Sequence, residues 1–234
     1  GVDIIEIGMP FSDPMADGPT IQQSSLRAIK NGANLKNIFS ICKNFRKKNN
    51  RTPLILMGYY NVVYHFGIDK FVNSCESIGI DGLIIVDLQP EEDSELFDKI
   101  QSKNIDLIRL VTPTTNKNRL KTILKKSSGF LYYVTITGIT GQHSANIEKL
   151  NQSINEVKKL TSLPVVAYTT TRMNNSTAYA LTKTYWSQKS KMGAKAAWWD
   201  GVDRGLMKNI IGKIHPGAIK YYAEAGFSMT AAQR

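Results

Sequence analysis

Apolar residues recur along the chain in short, largely uninterrupted runs, at residues 4–7, 54–57, 83–86, 107–111, 130–134 and 164–167, with longer amphipathic stretches between them. Runs of four or five residues without polar alternation predict strands buried on both faces, and the stretches between them have the period of helices with one apolar stripe. Such a β-α rhythm predicts a parallel sheet with helices outside. Right-handed crossovers then curl the sheet toward a barrel, whose functional groups gather at the C-terminal ends of the strands.

The first run leads into the most informative stretch, Glu6-Ile7-Gly8-Met9-Pro10-Phe11-Ser12-Asp13-Pro14-Met15-Ala16-Asp17-Gly18-Pro19. Glu6 falls near the end of a strand, while the prolines and Gly18 keep Asp17 in a loop that cannot continue as helix. An acid in an apolar strand is desolvated and holds its proton toward neutrality; one on a wetter, movable loop stays ionised and stabilises positive charge. The pair therefore suits acid–base chemistry. A buried, paired structural Glu and a turn-forming Asp account for the same spacing.

This string resembles the signature of the tryptophan synthase alpha subunit family. The resemblance continues in Pro53-Leu54-Ile55-Leu56-Met57-Gly58-Tyr59-Tyr60-Asn61, in Gly79-Ile80-Asp81-Gly82-Leu83-Ile84-Ile85-Val86-Asp87-Leu88, and in Tyr132-Tyr133-Val134 leading to Thr137-Gly138-Ile139-Thr140-Gly141. It covers residues 1 to about 167 and implies an α/β fold, an incomplete (β/α)8 TIM barrel holding strands two to seven. The implied reaction is retro-aldol cleavage of indole-3-glycerol phosphate to indole and glyceraldehyde 3-phosphate, in tryptophan biosynthesis. By the same resemblance Glu6 and Asp17 are catalytic, Tyr59 and Asp87 line the pocket for the indole end, and Tyr132 lies beside Glu6. Thr140 contacts Asp17 when the loop closes, and Gly141 offers a backbone N–H to the phosphate. Tyr59 and Tyr132 otherwise read as barrel tyrosines reaching water, and Gly138 as a turn former. No metal or organic cofactor is implied, since pyridoxal phosphate belongs to the partner beta subunit of an alpha2beta2 complex. The loops at 10–18 and 61–67 are the expected contact faces.

The chain departs from the family at both ends. It opens at the second strand, and after residue 167 it reads Tyr168-Thr169-Thr170-Thr171-Arg172 where the family has a Gly-Phe-Gly turn, an eighth strand and a Gly-Ser phosphate loop. A phosphate needs several convergent backbone N–H groups, so weak substrate anchoring and impaired activity are expected. Within residues 168–234, Tyr179-Ala180-Leu181-Thr182-Lys183 and the segment from Ile214-His215-Pro216-Gly217 to Gly226 resemble the C-terminal part of TAXI-type TRAP-transporter solute-binding proteins. The expected organisation is thus a partial barrel at 1–167 and a foreign or irregular tail at 168–234, a chimera in character. A periplasmic solute-binding module and an inactive barrel fragment stand as alternatives to the lyase. Trp198 and Trp199 read as fillers of a small core, and His215 as a turn residue.

Composition adds exclusions. With 42% hydrophobic and 21% charged residues the chain is ordinary for a soluble globular protein, and no apolar run approaches the ~18 residues of a membrane span. It begins without a basic, apolar leader, so a cytoplasmic location is expected. The net charge of +11 invites a nucleic-acid reading, yet it is dispersed: residues 168–234 carry 10 Lys/Arg against 3 Asp/Glu, and the rest 20 against 16. Arg46-Lys47-Lys48 and Lys125-Lys126 read as solvated cations at helix C-termini, and no basic stripe interleaves with aromatics, so no nucleic-acid partner is expected. Cys42 and Cys75 lack partners at metal spacing and read as reduced core thiols, leaving neither disulfide nor zinc site in prospect.

Overall fold

All six apolar runs become strands, and every pairing is parallel. The computed structural model describes residues 3–134, 147–166, 175–176, 178–180, 182–183, 186–187 and 214–233. One sheet runs β1 (Ile5–Gly8), β2 (Leu54–Gly58), β3 (Gly82–Ile85) and β4 (Asp106–Leu107); a second runs β5 (Arg109–Val111), β6 (Leu131–Tyr133) and β7 (Val165–Val166). The run at 107–111, expected as one strand of a single six-stranded sheet, is divided at Ile108. Its first part pairs with β3, and the Ile108 N–H still donates to the Leu83 carbonyl at 2.9 Å; from Arg109 onward the partner is β6. Ile108 packs across Gly82, where a Cβ would come within 2.7 Å of the end of its side chain and push it aside. Among the described residues the sheets do not close.

Helices alternate with the strands: α1 (Pro19–Lys30), α2 (Leu35–Arg46), α3 (Tyr60–Phe66), α4 (Ile68–Ile78), α5 (Ser94–Gln101), α6 (Lys117–Lys125) and α7 (Ile147–Lys158). Asn34 caps α2 by accepting from the Asn37 N–H, and Asn116 caps α6 through the Arg119 N–H. The segment at 61–67, expected as a loop, is α3; Gly67, with φ of 92°, ends it and turns the chain into α4. Alternation along the strands sorts the core into two faces. Leu54, Leu56, Leu83, Ile85 and Leu107 face the helices and pack with Phe39, Cys42, Phe71, Val72 and Cys75, both cysteines being free thiols. The opposite face carries Glu6 beside Ile55, and Met57 beside Ile84. This inner face belongs to the site.

Two cations expected at solvated helix ends are instead structural. Arg46 pairs with Asp81 and donates to the carbonyls of Gly79 (2.9 Å) and Thr52 (2.7 Å), tying α2 to the entries of β2 and β3. Asp81 also accepts from the Leu54 N–H at 2.7 Å. Arg46→Met strands this carboxylate and two carbonyls in a half-buried setting, and is expected to cost about 2 kcal/mol, read as a lower urea midpoint at unchanged slope. An unchanged midpoint would show the pair to be ornamental. Lys126, the other such cation, reaches the buried Asp93.

The chain divides into two compact units, Ile5–Ala167 and a second of Gly1–Ile4 with Tyr168–Arg234. In the second, His215 is the N-cap of α8 (Pro216–Glu224) rather than a simple turn residue, its Nδ1 accepting from the Gly217 N–H at 3.1 Å. Phe227 gathers the rings of Trp186 (4.7 Å) and Tyr222 (5.0 Å) into a small aromatic cluster. Trp198 and Trp199 lie outside the described residues.

Candidate active site

Three βα segments bring the candidate groups of the first unit together. Glu6 stands on the inner face of β1 and is reached by solvent, which corrects the expectation of a buried strand at this position. Enough protein nevertheless surrounds its carboxyl that desolvation disfavours the charged form and raises its pKa above the ordinary 4.5. The physical reason for the exposure is position: β1 is the end strand of its sheet, with β2 as its one neighbour among the described residues.

Asp17 is half-buried and held, where a free loop position was expected. The Tyr59 hydroxyl donates to its carboxylate at 3.0 Å and accepts from the Ala16 N–H at 3.0 Å, so one oxygen fixes both the backbone and the side chain of the loop. Tyr59 is only 3% exposed, and the ring of Phe11 packs on it at 5.5 Å between centroids. Burial pushes its phenol up to about 12, with the charges of Asp17 and Asp87 adding to the effect. The reading of Tyr59 as a tyrosine whose hydroxyl reaches water is thereby replaced.

Tyr132, on the inner face of β6, is half-buried, and its phenol is likewise pushed up to about 12, first by burial and then by the charges of Glu6 and Asp17. That coupling puts the groups from β1, β6 and the loop after β1 within electrostatic reach of one another. Asp87, just past β3, is exposed; its carboxylate accepts from the Tyr60 N–H at 2.7 Å and so caps α3. Thr140 and Gly141 lie outside the described residues, as does Gly138. Phe11 and the Ala16 N–H are the contributors that sequence reasoning missed, although both sit inside the motif that drew attention to Glu6 and Asp17. Among the described residues, no group of three or more His, Cys, Asp and Glu side chains is placed to hold a metal, and no helix is long and apolar enough to cross a membrane.

Parallel strands with outer helices, in sheets that do not close among the described residues, make an α/β fold of the incomplete-barrel class. A family model described as tryptophan synthase alpha chain matches residues 1–172, and one described as the NMT1-like family matches residues 157–226. The chain belongs to the tryptophan synthase alpha chain family, and so to the carbon–carbon lyases of tryptophan biosynthesis. Solved structures agree. Tryptophan synthase subunit alpha from Legionella pneumophila str. Paris is 28% identical, with a TM-score of 0.69 over 87% of this chain and 82% of that one. The subunit from Campylobacter jejuni is 33% identical, with a TM-score of 0.66 over 78% and 72%. A chain of the tryptophan synthase a2b2 complex from Pyrococcus furiosus is 30% identical, with a TM-score of 0.68 over 85% and 87%.

Proposed function

We propose that the first unit cleaves indole-3-glycerol phosphate by a retro-aldol step in which Glu6 moves the protons. Protonated Glu6 delivers a proton to the indole carbon that bears the glycerol chain, producing an indolenine cation. The carbon–carbon bond then breaks as a hydroxyl proton leaves to the Glu6 carboxylate, restoring the neutral indole. Asp17, ionised, accepts a hydrogen bond from the indole N–H and stabilises the positive charge that develops on the ring. Tyr59 holds Asp17 in place, Tyr132 flanks Glu6, and Asp87 lines the indole end of the pocket. The single observation supporting this reading is that the Tyr59 hydroxyl, at the end of β2, holds the Asp17 carboxylate at 3.0 Å beside the strand that carries Glu6.

Thr140 is assigned to loop closure and Gly141 to phosphate contact. With the family's remaining phosphate loop replaced by the sequence after residue 167, substrate affinity is expected to be weak and turnover low. The organisation that goes with this reading is a partial barrel at 1–167 and an appended segment at 168–234, in a cytoplasmic protein. Its partner is the beta subunit: Met15 on the 10–18 loop and Tyr64 on α3 are 77% and 63% exposed, an apolar presentation suited to a protein contact.

Indole release from indole-3-glycerol phosphate tests the reading directly. Slow release that saturates only at high substrate, and that rises when a tryptophan synthase beta subunit is added, is the expected result. Absence of release at any substrate concentration, with or without the beta subunit, would remove it.

A further inference from the structure

The segment that carries Asp87 is gripped by cations at almost every residue that follows. Arg109 donates to the Leu88 carbonyl at 2.7 Å and pairs with Asp93; Arg119 donates to the Gln89 side chain at 3.2 Å and pairs with Glu91; Lys126 donates to the Pro90 carbonyl at 2.8 Å and also pairs with Asp93. All three come from the next βα unit: Arg109 opens β5, Arg119 lies in the first turns of α6, and Lys126 follows its end. Arg109 further donates to the Lys126 carbonyl at 3.3 Å, so the grip is cross-linked.

The centre of this grip is dry. Asp93 is 0% and Arg109 4% exposed, and a carboxylate taken wholly out of water here meets two cations. Buried ion networks are an inefficient source of stability, because desolvation offsets most of the attraction; what they yield is a fixed geometry. The geometry fixed is that of residues 88–93. Asp87 immediately precedes them, and its carboxylate reaches the Tyr60 N–H across to α3, the helix that follows Tyr59. The backbone before Asp87 is held by the Val86 N–H on the Gly58 carbonyl (2.9 Å), while after it the strand contributes only a long contact, Leu88 N–H to the Ile85 carbonyl at 3.4 Å, so from Leu88 onward the cations supply the closer anchors.

We propose that Arg109, Arg119 and Lys126 form a clamp that positions Asp87 at the site mouth, with Arg109 its central member and a positioning residue for substrate binding. The proposal rests on the reading of Asp87 as a pocket residue, and it makes one prediction independent of that reading: the clamp sets the strength of the Asp87–Tyr60 hydrogen bond.

Arg109→Lys keeps the charge and most of the length, but a single ammonium cannot serve Leu88, Asp93 and the Lys126 carbonyl together in the geometry of the guanidinium fork. Amide hydrogen exchange at Tyr60 in the full chain is expected to quicken about 5-fold in this variant, while amides of the β2–β3 ladder keep their wild-type protection. Arg119→Ala, on exposed partners, is expected to give a smaller acceleration at the same amide, and it serves if Arg109→Lys does not fold. In the indole-release assay Arg109→Lys should raise KM several-fold with little change in kcat, and the effect should vanish in an Asp87→Ala background. Unchanged Tyr60 exchange in the folded variants overturns the clamp, as does a KM effect that persists in full without Asp87. If the wild-type chain releases no indole, the lyase reading fails, and Tyr60 exchange alone still decides the clamp.

Discussion

Replacing Glu6 with Gln is expected to lower indole release by about 10²–10⁴-fold while leaving the fold at least as stable at neutral pH. The first half follows from the proton that Glu6 must give and take back; Gln has the shape without the proton. The second half follows from the raised pKa. A carboxyl that binds its proton more tightly folded than unfolded contributes stability at low pH, and loses it as pH rises from the unfolded value through the folded one. Gln cannot ionise and escapes that loss. Thermal unfolding of the two proteins should therefore diverge in favour of the variant as pH climbs through that window. Wild-type turnover should fall with rising pH beyond the Glu6 pKa, on a limb absent from the residual activity of Glu6→Gln. A variant that retains activity, or that is inactive because it unfolds at lower temperature, would dispose of the assignment.

Asp17→Asn carries the second large effect, a loss of about 10²–10³-fold in turnover, because a preorganised charge facing the developing indolenine cation is typically worth about 3 kcal/mol. The comparison that isolates charge is Tyr59→Phe. In Asp17→Asn the new amide oxygen still accepts from the Tyr59 hydroxyl and so keeps the loop in place, whereas Tyr59→Phe removes the anchor from both Ala16 and Asp17 and keeps the charge. Tyr59→Phe is expected to cost about tenfold, near 1.4 kcal/mol. Steady-state rates that place Tyr59→Phe at or below Asp17→Asn would show that position, rather than charge, is what Asp17 supplies.

Much of the architecture could be read from the chain because strands buried on both faces leave continuous apolar runs, and parallel connection follows from the helices between them. The division of the fourth run at Ile108 was not legible. Pairing partners are set by residues far along the chain, and Arg109, the single charged residue within 107–111, does not by itself tell one strand from two. The cations failed for a related reason: Arg46 and Lys126 sit where helix ends place solvated charges, and only the fold brings Asp81 and Asp93 to them. At the site, the motif revealed Glu6 and Asp17 as a pair, while the hydroxyl that joins Asp17 to Tyr59 crosses 42 residues of sequence. Asp87 was legible through the family resemblance alone; its cap on α3 is hidden as long as 61–67 reads as a loop.

Among the described residues β1 is an end strand, and that position has a bearing on association as well as on chemistry. A sheet edge offers unpaired backbone groups to any passing strand, and proteins discourage such additions by keeping edges short and setting charge on them. β1 is four residues long, with Glu6 and Gly8 as its two exposed positions. A second chain aligning there would have to bring its own side chain against a carboxylate that is already partly desolvated, and would find a glycine with nothing to pack against. The side chain assigned to proton transfer thus also works against self-association, so concentrated Glu6→Gln preparations should gain folding stability and lose colloidal stability together.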